Sequence, residues 1–291
     1  QVQSALEHAM REYWLKENFI EIHSPKIMGS PSESGAELFE VNYFGGKAYL
    51  AQSPQFYKQM AMAAGFEKVF EIGPVFRADP SFTSRHMTEF TGLDMEMSWI
   101  ETHEDVMAFT ERWLRYSYTR VKEQFDEQIN EVFGVDITVP KVPFPRMTMA
   151  EVYQTLKAQD YQLPPERKGD LDPGGERAIA EFIKKEYNHD FLFIIDWPTS
   201  VRPFYHMRHS DNQELTRSFD LIAGGLEIAT GAQREHRYEI LKKQALEKGL
   251  GLENIQFYLD FFRYGCPPHG GFGIGLSRLM MVLLNLPNIR E

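Results

Sequence analysis

The chain has 291 residues, 43% hydrophobic and 25% charged, enough for one large globular core or two small ones. Its net charge of −11 excludes a general nucleic-acid coat, which needs a basic surface, and leaves room for a local basic site. Cys266 is the only cysteine, which excludes a disulfide framework and a cysteine zinc cluster and fits a reducing, intracellular setting.

No apolar run reaches the roughly 18 residues of a membrane span, and the first residues carry no signal-peptide pattern. The chain opens at Gln1 inside a helical pattern, as a piece of a longer chain would. Leu6, Ala9, Met10, Tyr13 and Trp14 recur at helical spacing over residues 1–17, and Asn18 suits a left-handed cap. Phe19-Ile20-Glu21-Ile22 reads as a short strand stopped by Ser24-Pro25, and 31–35 as a turn-rich loop. Residues 39–43 and 47–51 suggest a hairpin around Gly45-Gly46. Ser53 as N-cap and Pro54 at the first helical position predict a helix to Ala64, closed by Gly65. Two strands joined by a charged loop fill 75–100. A long helix over 103–131 follows, and Thr148 can cap another that ends near Lys157. Residues 164–175 read as loop, 175–187 as helix, 191–195 as a buried strand and 218–230 as a hairpin. Helices are predicted over 234–248, 252–264 and 276–284, the last after a glycine-rich strand. Short turns between strands, interrupted by helices, indicate an α+β fold: an antiparallel β-sheet flanked by helices.

Three stretches carry chemistry. In the second strand of 75–100, Leu93, Met95, Met97 and Trp99 alternate toward a core. Phe90, Gly92, Asp94, Glu96 and Ser98 face the other way, which fits either a half-exposed strand or a ligand face. The preceding loop gathers Arg77, Asp79, Arg85, His86 and Glu89, suited to an anionic, planar ligand such as a nucleotide. Gly271, Gly273 and Gly275 share one strand face, with Phe272 and Ile274 opposite. That bare face is either a floor for a flat ligand or a place of close packing. In the 218–230 hairpin, a two-residue loop at Ala223-Gly224 sets Asp220 opposite Glu227, with Cβ atoms ~5 Å apart. A divalent cation such as Mg²⁺ would relieve that repulsion, whereas a three-residue loop would separate the pair. Gln55 and Lys58 share a face near the positive end of their helix, favourable for a small carboxylate.

Taken together, these stretches resemble the class II aminoacyl-tRNA synthetases, and within them the aspartyl-tRNA synthetases of eukaryotic and archaeal type. Phe76-Arg77-Ala78-Asp79 with Arg85-His86-Met87-Thr88-Glu89-Phe90 resembles their motif 2, and the run from Gly271 to Arg278 their motif 3. Asn18-Phe19-Ile20-Glu21-Ile22-His23-Ser24-Pro25 is similar to motif 1, Ser32-Glu33-Ser34-Gly35 to the loop closing over the amino acid. Gln52-Ser53-Pro54-Gln55-Phe56-Tyr57-Lys58 and the stretch from Ser218 to Arg234 match as well, so the likeness spans essentially the whole chain.

The resemblance implies a class II catalytic fold over 1–291, with the family's anticodon-binding barrel outside this chain. It implies ATP-dependent activation of L-aspartate to an adenylate and transfer to the 3' end of tRNA. Arg77 would hold the α-phosphate and, with Arg278, act catalytically. Phe90 and Arg278 would sandwich the adenine, Arg85 and His86 contact the outer phosphates, and Asp79, Met87, Glu227 and Gly275 complete the ATP site. Asp220, Glu227 and Thr230 would hold Mg²⁺. Glu33, Gln55, Lys58, Asp94, Thr230 and Arg234 would bind aspartate, Arg234 through a bidentate fork. A homodimer through the stretch from Phe19 to Pro25, a cytoplasmic location and no membrane contact also follow. Departures are Asp79 for a usual Glu, Asn18 and Ser34 for Gly, and Ser277 for a usual acid. Alternatives are the asparaginyl enzyme, an adenylate-forming amide ligase that does not use tRNA, and an inactive regulatory paralogue.

Overall fold

The computed structural model describes residues 1–29, 38–78, 83–167 and 169–290. The loop expected at 31–35 lies outside them. The elements in chain order are α1 (Val2–Lys16), β1 (Ile20–Glu21), β2 (Ile27–Met28), β3 (Glu40–Tyr43), β4 (Gly46–Leu50), α2 (Gln55–Ala63), β5 (Lys68–Phe76), β6 (Glu89–Ser98) and α3 (His103–Phe133). They continue with β7 (Arg146–Thr148), α4 (Met149–Ala158), α5 (Pro173–Tyr187), β8 (Phe191–Pro198), β9 (Leu215–Ala223), β10 (Leu226–Gln233), α6 (Tyr238–Glu247), α7 (Leu252–Phe262), β11 (His269–Gly275) and α8 (Leu276–Leu284).

Among the described residues an eight-stranded sheet runs β1-β5-β6-β11-β10-β9-β8-β7. Its six central strands are antiparallel, as expected, and the two edge pairs, β1 with β5 and β7 with β8, are parallel. β11 comes last in the chain and sits between β6 and β10. A small sheet, β2-β4-β3, stands apart.

One face of the large sheet is closed by α1 and α3. Trp14 stacks on Phe70 at 4.6 Å and meets Trp113 at 4.6 Å, and Trp113 reaches Phe272 at 5.3 Å. Leu93, Met95, Phe272 and Ile274 point into this core. Full burial of such side chains stabilises by roughly 1.5–3 kcal/mol each, which makes this layer the frame that fixes the opposite face. α4 and α5 cover β8, and α2, α6 and α7 form a third cluster around Phe56 and Tyr258. α3 starts on a capping box: Thr102 Oγ1 accepts from Glu104 N, and Asp105 accepts from Thr102 N. Thr148 caps α4 with Glu151 in the same way.

Several expectations shift. Trp99 does not enter the core: the strand ends at Ser98, Trp99 has φ 63° and it is 70% exposed. Its backbone is fixed by a bond from Trp99 N to Pro268 O, which overrides the alternation. β5 begins seven residues before Val75, because all of 68–76 pairs with β6. α5 begins at Pro173, where Asp172 accepts from Gly175 N and proline takes the first helical position. α6 begins at Tyr238; Arg234 instead bridges His206. Pro54 rather than Ser53 precedes α2, and Ser53 Oγ accepts from Gln55 N. Asn18, at φ 63°, takes the left-handed conformation expected of it.

Candidate functional site

The face opposite α1 and α3 is polar yet buried. One cross-strand row carries Glu71, Asp94, Gly273, Thr230 and Asp220, each directly opposite the next. Directly opposed residues share a face, so residues far apart in sequence line one floor. Gly73, Gly92 and Gly275 form the neighbouring row. Glu96 and Gly271 belong to the row on its other side. A half-exposed outer strand is thereby excluded for β6: Asp94, Glu96 and Ser98 are all buried.

The glycines of β11 do two different jobs. A Cβ on Gly271 would lie 2.0 Å from Met95 O and 2.3 Å from Glu96 Oε2, and one on Gly273 3.0 Å from Asp94 Oδ1. Those two make room for buried carboxylates of β6. A Cβ on Gly275 would meet Phe90 only at 3.7 Å, so there the bare backbone faces open space beside an aromatic ring. Close packing, one of the alternatives from sequence, therefore holds at Gly271 and Gly273, while Gly275 leaves a bare face open.

At the close-packed end lies a network of four buried charges. Lys58 Nζ donates to Asp94 Oδ1 at 2.9 Å and Phe272 O at 2.9 Å, and lies 3.5 Å from Glu96 Oε2. Arg234 donates from Nε to Glu96 Oε1 at 2.9 Å and from Nη2 to Glu96 Oε2 at 3.4 Å and Gly271 O at 3.0 Å. The guanidinium fork expected to face a ligand is thus taken by Glu96. Burial pushes the Glu96 carboxyl up, but Arg234, Lys58 and His269 together outweigh it and hold it below the usual range. Arg234 Nη1 lies 3.0 Å from His206 Nε2. Because arginine only donates, His206 accepts there and carries its proton on Nδ1. Burial, then the charges of Arg234, Arg202 and Lys58, depress the His206 pKa well below normal, so the ring is neutral.

A cavity of about 280 Å³ opens over this floor. It brings together twelve of the expected site residues: Gln55, Arg77, Arg85, His86, Met87, Phe90, Asp94, Glu227, Thr230, Arg234, Gly275 and Arg278. Lys58 sits behind Asp94 and Asp220 is buried off the wall, and Glu33 and Asp79 lie outside the described residues. At the open end the Arg77 guanidinium stands 5.6 Å from the Phe90 ring centroid. Arg278 Nη1 donates to Glu227 O at 2.8 Å. The segment 83–88 is tied to the chain end by Ile289 N to Ser84 O at 2.7 Å and Arg290 Nη1 to Thr83 O at 3.0 Å.

The β9–β10 hairpin corrects the expected pairing. Its turn is Gly224-Gly225, Glu227 stands opposite Ile222, and a bulge between Glu227 and Ala229 sets Thr230 opposite Asp220. The two-residue turn lies one residue later than the loop considered, which by itself moves the partner of Asp220 from Glu227 to Ala229, and the bulge moves it on to Thr230. It also turns Glu227 and Thr230 to the same side, with Thr230 Oγ1 donating to Glu227 Oε1 at 3.2 Å. Asp220 is ion-paired to Arg202 at 2.7 Å, and Arg202 lies 4.1 Å over the Trp197 ring. Burial raises the Asp220 pKa to about 7; Arg202 opposes the rise and Glu227 adds to it. Asp220 Oδ1 is buried and has no hydrogen-bond partner. An orphaned carboxylate oxygen beside a second carboxylate fits one hard divalent cation that completes its shell from phosphates. Among the described residues no group of three or more His, Cys, Asp or Glu is placed to hold a metal by itself.

Arg202, His206, Glu96 and Glu176 were not singled out from sequence as site residues. A signal existed for Glu96, which shares the ligand face of β6. For the others only the fold brings them in.

The tRNA synthetases class II (D, K and N) family model matches residues 1–291. The aspartate–tRNA(Asp/Asn) ligase of Aeropyrum pernix is 46% identical over 294 residues, covering 100% of this chain and 66% of the relative. Aspartyl-tRNA synthetase from Entamoeba histolytica superposes with a TM-score of 0.87 at 36% identity, over 99% of this chain and 56% of that one. Asparaginyl-tRNA synthetase from Pyrococcus horikoshii, solved with asparaginyl-adenylate, gives 0.91 at 34% identity, over 99% and 65%. The chain therefore spans about two-thirds or less of the proteins it matches. Over its whole length it belongs to the class II tRNA synthetases of the D, K and N group.

Proposed function

We propose that this chain is the catalytic domain of an aspartate–tRNA ligase, which activates L-aspartate with ATP and passes the aspartyl group to the 3' end of tRNA. One observation carries this reading. A single cavity joins an aromatic and cationic end, Phe90 with Arg77 and Arg278, to an end where Asp94 and Arg234 stand over a glycine-lined floor. The first end suits adenine and phosphate, the second an amino acid with an acidic side chain. The 46% identity to an aspartate–tRNA(Asp/Asn) ligase supports it.

Phe90 and Arg278 hold adenine over the bare backbone of Gly275. Arg77 takes the α-phosphate and stabilises the charge that builds there as the aspartate α-carboxylate attacks. Asp94 receives the substrate ammonium, oriented by Lys58, while Gln55 borders the same subsite. Arg234, held by Glu96, offers its Nη1 edge to the side-chain carboxylate beside neutral His206. Glu33, Asp79, Arg85, His86, Met87 and Thr230 complete the two subsites as the family pattern implies. Catalysis here is positioning and electrostatics, without a protein nucleophile. Asp220 and Glu227, with Thr230 beside them, are the residues that would hold Mg²⁺. When bound, that ion neutralises phosphate charge. We also place self-association on the β1 edge around Phe19 to Pro25, where Ile20 is 50% exposed, and the enzyme in the cytoplasm.

Aspartate-dependent exchange of pyrophosphate into ATP by the folded full-length protein tests the reading, and its absence refutes it. The asparaginyl reading draws support from the 0.91 superposition on an asparaginyl enzyme. Exchange with asparagine and not aspartate would establish it instead.

A further inference from the structure

We infer that Glu176, on α5 and outside the cavity wall, is a positioning residue for the nucleotide end of the site. One of its carboxylate oxygens fixes both Arg85 and the backbone of Glu227. Arg85 Nη1 donates to Glu176 Oε2 at 3.0 Å, and Glu227 N donates to the same oxygen at 3.3 Å. Glu176 lies in the first turn of α5 and is only 9% exposed.

The position of Glu227 explains why such an anchor is required. Pairing between β10 and β11 begins at Ala229, so the Glu227 peptide lies past the last rung on that side. An N–H there needs a partner from elsewhere, and Glu176 supplies it. Arg278 takes the carbonyl of the same residue. The hairpin tip is also seated on α5: Gly225 has φ 77°, and a Cβ there would come within 3.0 Å of Arg177 Cγ. The bulge that aims Glu227 into the cavity is thus held by α5 and α8 together.

Arg85 gains in a different way. A free arginine loses rotamer entropy when fixed, and the Glu176 pair fixes it beforehand. An amide oxygen could accept the Glu227 N–H, but only a carboxylate adds the opposite charge that holds the guanidinium firmly. The carboxylate stands there at a cost, since burial and then the nearby Glu227 charge raise its pKa.

This inference rests on the nucleotide reading of the cavity. The test is equilibrium binding of ATP to the full-length protein, with exchange kinetics alongside. Glu176→Gln keeps the shape and the acceptor and loses the ion pair; Glu176→Ala loses both. ATP affinity should fall ~10-fold in Glu176→Gln, equivalent to about 1.4 kcal/mol, and further in Glu176→Ala. KM for ATP should rise in step, while aspartate KM stays within about twofold. In an Arg85→Ala background, Glu176→Gln should cost less than about twofold more, because both changes remove one interaction. The inference is overturned if Glu176→Gln leaves ATP affinity unchanged. It is also overturned if the effect multiplies fully with Arg85→Ala, or if aspartate is weakened equally. Failure of the unmodified protein to bind ATP would instead remove the nucleotide reading itself.

Discussion

Glu96→Gln is the most informative single change. Lys58 and Arg234 are each 2% exposed, Asp94 is 6% and Glu96 0% exposed, so two buried cations face two buried anions. Glutamine keeps the shape but leaves one positive charge without compensation. Breaking a buried pair in this way costs about 3–5 kcal/mol. At roughly 2–4 °C per kcal/mol for chains of this order of size, the melting temperature should drop by about 10 °C. The companion is Glu96→Gln with Arg234→Gln, which restores one cation against one anion. It should recover about 2 kcal/mol relative to the sum of the single changes, the upper part of the range measured for directly coupled residues. Urea unfolding midpoints of the four proteins decide it. A Glu96→Gln cost below about 1 kcal/mol, or strict additivity, would refute charge balance as the reason these residues are buried together.

Three further outcomes are expected. Gly271→Ala should fail to fold, its Cβ meeting Met95 O at 2.0 Å, whereas Gly275→Ala should melt close to wild type yet bind ATP more weakly; equal melting temperatures would contradict the division of β11. Asp220 has a raised folded-state pKa, so the stability it contributes is present below its normal value and is lost as pH rises toward about 7. Relative to wild type, Asp220→Asn should flatten thermal stability against pH between about 4 and 7, and Mg²⁺ with ATP should raise the melting temperature more at pH 8 than at pH 5; an unchanged slope in the variant would be the contrary result. Trp99→Gly should raise the urea midpoint, since a left-handed conformation costs a non-glycine residue about 1 kcal/mol and Trp99 is 70% exposed; a clear fall in the midpoint would show that the ring does packing work.

Local pattern made much of this legible. Alternation placed Leu93 and Met95 in the core and Asp94 on the site, and the glycine spacing marked β11. What escaped was set by contacts distant in sequence. The bulge after Glu227 leaves no signature in Leu-Glu-Ile-Ala-Thr, and with the turn also one residue later than expected the partner of Asp220 is Thr230, three residues beyond Glu227. Arg234 suggested a free fork because nothing nearby in sequence reveals that Glu96, 138 residues earlier, occupies it. Glu176 falls in the helix predicted over 175–187, and nothing near it in sequence points to Arg85 or Glu227. Trp99 fitted the strand period by composition, and a backbone bond to Pro268 turned it out.

The central place of β11 bears on how the molecule is made. When a nascent chain has emerged through β10, the two halves of the sheet, β5–β6 and β10–β9–β8, are present but share no strand. Each then shows the ribosome's surroundings an open edge, and the edge on β6 carries Asp94 and Glu96 without their glycine neighbours. Charged side chains on such an edge discourage pairing with other chains. The arrival of residues 269–275 closes both edges and joins the two halves of the floor in one event.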